Sequence, residues 1–291
     1  FKSACKVPSL IAPENNEHLF SEIFKGNPWS LSETDGEANF YALVREKEIK
    51  ISSAGLASLW NICVVSFTIA DIGTQERLKE QSNRKHDDIR RNEIDLSQQW
   101  EEKNLSAYII YAEKLFSVDA PWPEDIPTPP KITNADQTQE KIIDLFLGAL
   151  GWIMLHEIGH IALNHENIIP NFQKIKQEYE ADDFATKWVM NNAGHGLILE
   201  YRIMAVCTAI AYLLLNQRIK GTGATHPPAI HRSRQIIEEF TAGERSVGLE
   251  SAAYFLKAIF DPETHPPEMS NAKEMFDWVI ERIISIFKKN N

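Results

Sequence analysis

Leu155-His-Glu-Ile-Gly-His160 is the stretch on which the reading of this chain turns. It closes an apolar run, Leu145–Leu155, that has helical character. Residues four apart lie on one face of a helix, so His156 and His160 can offer two imidazole nitrogens to one metal ion. Glu157 stands beside that metal, where it can take a proton from a water molecule. A catalytic zinc needs a third protein ligand and an open position. His165 follows five residues after His160, about 140° around an ideal helix, and cannot join the same face unless the helix breaks. The stretch also fits a core helix with two satisfied histidines, so its neighbours decide.

The strongest third ligand lies in Gln177-Glu-Tyr-Glu-Ala-Asp-Asp-Phe-Ala185. Glu178 comes 18 residues after His160, past a turn marked by Pro170. That is enough chain to bring a second helix back against the first. Glu178 and Asp182 share a face at i, i+4, so Glu178 can bind the metal while Asp182 orients a ligand histidine. Glu180 and Asp183 fall off that face, and Ala181 and Ala185 permit close helix packing.

From Gln139 onward the pattern is helical, with helices expected over 139–164, 172–192, 197–217, 228–242, 246–259 and 271–288. Upstream, the first 35 residues give weak signals. Phe40–Val44 and Ile49–Ser52 read as a hairpin around the polar tetrad Arg45–Glu48, with 49–52 as an edge to which an extended peptide could add, and a helix follows to about Ala70. Gln75–Lys103 holds eight acidic and seven basic residues and reads as a solvated helix or insertion. Five prolines in Ala120–Pro130 predict an extended connector. The expected class is mainly α (α+β). A zincin-like helical core (139–291) would form one domain with an N-terminal hairpin and helix (1–72) and a charged, proline-rich insertion (73–138).

A net charge of −11 disfavours nucleic acid, which demands concentrated positive charge. Three scattered cysteines, Cys5, Cys63 and Cys207, make no disulfide framework and fit a reducing compartment. The opening residues, FKSACKVPSL, show no apolar leader core. The runs Leu56–Ala70, Leu145–Leu155 and Ile203–Leu215 fall short of the ~20 residues that span a bilayer and read as core helices.

His156–His160 with Glu178-Tyr-Glu-Ala-Asp182 resembles the gluzincin metallopeptidases, close to the CAAX prenyl protease and heat-shock membrane protease group. Thr225-His-Pro-Pro228 with Arg232 adds to the likeness. In that group the corresponding histidine, here His226, helps to stabilise the oxyanion, and Arg232 would position His226 or the substrate backbone. The fuller resemblance is to the Lit-type phage-exclusion peptidases of bacteria. It extends to Ile11–Glu14, Ala57–Trp60, Gly151–Leu155 and Ala185–Trp188, with 73–137 poorly matched.

That resemblance implies one Zn²⁺ held by His156, His160 and Glu178, with Glu157 as base and Asp182 and His165 in support. It implies a bacterial cytoplasmic endopeptidase, at most peripheral to the inner membrane. Its partners would be a protein substrate (elongation factor Tu in the namesake) and a phage-derived peptide trigger. Constitutive cleavage would be toxic, so latency is expected. Thr264-His-Pro-Pro267 repeats the tetrapeptide, but Asn271 stands where an arginine would be, so His226 is preferred to His265. The rival readings are a membrane-associated gluzincin and a non-catalytic zinc-binding helical protein.

Overall fold

The computed structural model describes residues 4–19, 21, 29–83, 97–165, 169–221, 227–238, 240 and 246–289. Strands β2 (Phe40–Leu43) and β3 (Glu48–Ser52) form the expected antiparallel hairpin. Its turn ends at Lys47, whose φ of 52° is left-handed. Ile49 and Ile51 alternate with polar neighbours and are fully buried, as a half-buried strand requires. A third strand, β1 (Ser30–Thr34), pairs in parallel with β3, giving the order β1-β3-β2. Its polar sequence, Ser-Leu-Ser-Glu-Thr, hid it from pattern reading. The 49–52 strand, expected at a sheet edge, is therefore central, and the edges belong to β1 and β2.

Two short helices, α1 (Val7–Ile11) and α2 (Asn16–His18), precede the sheet. Helix α3 (Ser53–Asn83) follows β3 directly and runs 13 residues past the expected end at Ala70. Of the charged insertion, residues 84–96 lie outside the described residues; α4 (Ser97–Glu102) and α5 (Leu105–Leu115) follow. The proline-rich run 120–130 holds neither helix nor strand. The remaining helices are α6 (Gln137–Ala162), α7 (Asn171–Met190), α8 (Leu197–Lys220), α9 (Ala229–Glu238), α10 (Val247–Phe260) and α11 (Ala272–Lys289). Each lies within a few residues of its expected bounds.

Helices α3, α6 and α8 pack against one another, α10 joins α3 and α8, and α7 covers α6. One apolar cluster runs from Ala4 to Ile283 and includes Trp152, Phe116 and Phe255. Each such aromatic, fully buried, contributes roughly 2–3 kcal/mol. Cys63 and Cys207 are buried and free.

The membrane reading needs correction. The apolar runs are short, but the helices that contain them are not. Ser53–Glu76, Gln137–Ala162 and Leu197–Lys220 are each long and apolar enough to cross a membrane. In this fold they bury between 61% and 72% of their apolar windows inside the protein.

Candidate active site

Helix α6 begins with a reciprocal cap. Asp136 Oδ1 accepts from the Gln139 amide at 2.8 Å, and Gln139 Oε1 accepts from the Asp136 amide at 3.0 Å. Two glycines let neighbouring helices approach α6. A Cβ on Gly148 would lie 2.5 Å from the Tyr201 hydroxyl of α8, and one on Gly159 would lie 3.2 Å from the Ala181 Cα of α7. The close contact at Gly159 sets the α7 face carrying Glu178 and Asp182 against His156 and His160. Buried Trp152 Nε1 donates to Thr186 Oγ1 at 3.1 Å and ties the same two helices.

The result is a triangle of donor atoms. His156 Nε2 and His160 Nε2 are 3.2 Å apart, and Glu178 lies 3.6 Å from each through its two oxygens. Ligand bonds of about 2.0–2.1 Å at tetrahedral angles place neighbouring donors roughly 3.3 Å apart. Among the described residues this is the group whose donor atoms gather within 4.8 Å, and its His–His–carboxylate chemistry suits a single divalent ion.

Outer contacts fix both imidazoles. His156 Nδ1 lies 2.9 Å from Asp182, leaving Nε2 for the triangle. His160 Nδ1 meets His165 Nδ1 at 2.8 Å, and His165 Nε2 lies 3.3 Å from Glu180. Glu180, set aside as off the metal-facing side of α7, thus supports His165. Arg232 Nε and Nη2 each donate to Asp182 at 2.7 Å, and Nη1 lies 3.3 Å from Glu178. The guanidinium, which also lines the cleft, thus clamps the two α7 carboxylates. His226 lies outside the described residues. Pro227 and Ala229, just after it, line the cleft, and Thr264-His-Pro-Pro267, after α10, does not.

Charge is concentrated here in a dry setting. Burial pushes the Glu157 carboxyl up to about 7, with nearby Glu178 adding to the rise against the pull of His156 and Arg232. Burial disfavours the His156 cation, but Asp182 and Glu178 outweigh it and raise the pKa to about 10. Burial and His156 drive His160 down to about 3. Asp182, despite burial, is held below the usual carboxylate range by Arg232.

The triangle opens onto a cleft of about 660 Å³. One wall is formed by Asn39 and the β2 residues Phe40–Ala42, and another by α8, with Tyr212 and Asn216. Sequence reasoning passed over both walls. Asn216, just after an apolar run with Tyr212 one turn back, was the available signal.

A buried carboxyl beside three side chains that could hold a metal ion, in an open cleft, is an arrangement suited to hydrolysis. The chain belongs to the peptidase U49 family, whose model matches residues 49–253. It is also similar to the cell death peptidase of Escherichia coli (strain K12), at 26% identity over 274 residues, covering 89% of this chain and 87% of that protein. Both matches agree with the motif-based resemblance at the level of the family, and the chain is a peptidase. No solved structure matches it.

Proposed function

We propose that this peptidase is a zinc-dependent endopeptidase that cuts a protein of the bacterial host, held latent until phage infection. Elongation factor Tu is its first candidate substrate and a phage-derived peptide its candidate trigger. The observation that carries the reading is the triangle of His156, His160 and Glu178 with Glu157 alongside. Zinc held by those three residues would supply Lewis acidity, activating a water molecule and polarising a peptide carbonyl.

The chain's own residues do the rest. Glu157, its carboxyl raised by burial, accepts the proton of the attacking water and passes it to the leaving amine. Asp182 and His165 hold the two imidazoles in register. Arg232 neutralises the carboxylates gathered around them. The open edge of β2 pairs with an extended substrate segment. His226 assists the developing oxyanion.

The test is the set of new protein N-termini in bacteria carrying wild type or Glu157→Gln, with and without phage. Infection-dependent termini with wild type alone, and zinc retained in the variant, are expected. Equal cleavage by the two proteins would remove Glu157 as the base. A membrane-associated mode is the second reading, raised by the three long apolar helices. Recovery of the chain in the supernatant of a lysate cleared by ultracentrifugation, without detergent or carbonate, would rule it out.

A further inference from the structure

Two buried polar atoms in the cleft wall have no hydrogen-bond partner among the described residues: Tyr212 Oη and Asn216 Oδ1. They sit four residues apart on α8, hence on one face. Leaving a buried hydroxyl or amide oxygen unpaired costs about 1–3 kcal/mol, and such groups are rare without a role. The Tyr212 ring is also fixed in place. It meets Phe40 of β2 edge-on at 5.4 Å and Phe116 at 4.9 Å, so its hydroxyl has little freedom to seek another partner. Burial, reinforced by the charge of Glu157, raises the Tyr212 phenol, which therefore stays protonated and is a standing donor.

We propose that this face of α8 grips the substrate backbone: the Tyr212 hydroxyl donates to the carbonyl oxygen of the peptide being cut, and Asn216 Oδ1 accepts a neighbouring backbone N–H. The inference rests on the proposed function of the cleft and adds α8 to the surfaces that hold the substrate. No proton leaves Tyr212 and no covalent bond forms to it. Its hydrogen bond strengthens as charge builds on the carbonyl oxygen, so it acts mainly in the transition state. Asn216 contacts a group that does not change charge, so it acts mainly on binding.

The experiment uses the full chain and the bacterial protein that it cuts fastest in a lysate, with elongation factor Tu tried first. Tyr212→Phe is expected to lower kcat about 100-fold with little change in KM. Zinc content and Tm should match wild type. A phosphinic peptide of the cleaved sequence, which mimics the tetrahedral state, should bind more weakly by a similar factor, while the product peptide binds as before. Asn216→Ala is expected to raise KM about tenfold. Wild-type turnover by Tyr212→Phe overturns the inference. So does an equal loss of phosphinic and product-peptide binding, which would mark a structural residue. Glu157→Gln separates the two levels. If it cleaves at the wild-type rate, the reading of the cleft fails; if it is inactive while Tyr212→Phe is not, only this inference fails.

Discussion

The two Thr-His-Pro-Pro tetrapeptides, at 225–228 and 264–267, each have an arginine–aspartate pair for company. Beside the first, Arg232 grips Asp182 through two bonds of 2.7 Å, with both side chains buried. Beside the second, Arg282 meets Asp261 at 2.7 Å and Thr264 Oγ1 at 2.9 Å, near the surface. The chemistry is the same and the setting differs. Arg232 and Asp182 lie against His156 and Glu178, where water is excluded and charges must be matched. Arg282 and Asp261 tie the loop between α10 and α11, where Asp261 is buried but the Arg282 guanidinium reaches water that screens the pair. One pair holds a reaction centre in register, and the other closes a turn.

Removing the buried cation should have the largest effect. Arg232→Met strands Asp182 and Glu178 and is expected to cost about 3–5 kcal/mol of stability. It should also weaken zinc binding roughly 10–100-fold, read by denaturant titration and a chelator competition. The tetrapeptides themselves come next. His226→Ala should lower turnover about 100-fold, while His265→Ala leaves it unchanged. A collapse confined to His265→Ala would reverse their roles.

A third pair, Glu14 with Arg202, lies between the two in burial. Arg202 is 4% exposed, and bonds Glu14 at 2.6 and 3.0 Å and the Val189 carbonyl at 2.7 Å. Burial raises the Glu14 pKa, but Arg202 outweighs it and leaves the folded value below normal. A depressed carboxylate contributes stability above its unfolded pKa of about 4.3 and loses it as pH falls through the lower, folded value. Glu14→Gln should therefore cost roughly 2 kcal/mol at neutral pH and flatten the acid limb of the stability curve. The smallest effect is expected from Arg282→Ala, with cleavage intact and a thermal midpoint close to wild type.

The metal-binding side of the first site was legible in the sequence, and the arginine–aspartate pairs were not. The i, i+4 spacings of His156 with His160 and of Glu178 with Asp182 fix which side chains share a helix face. Ala181 and Ala185 were legible as residues that let those faces meet, and the structure adds Gly159 opposite Ala181. The helices of the C-terminal half followed from their apolar period. What stayed hidden depends on non-local pairing. β1 carries too few apolar residues to signal a strand, and its parallel partner lies across two turns. Without β1, the 49–52 strand looked like an edge. Arg232 looked free for catalysis because nothing in its own helix reveals that Asp182 lies opposite. Glu180 looked misplaced because His165 leaves the helix axis after Leu163 and comes back to it. Tyr212 merged into an apolar run whose meaning depends on which wall of the cleft it forms.

The most direct measurement is metal content against cleavage in three purified chains: wild type, Glu157→Gln and His160→Ala. About one zinc per chain is expected in wild type and in Glu157→Gln, with cleavage in wild type alone once triggered. His160→Ala should fold, hold little zinc and cut nothing. A zinc-free wild type that still cleaves, or a His160→Ala chain that keeps both metal and activity, would contradict the site built here from His156, His160 and Glu178.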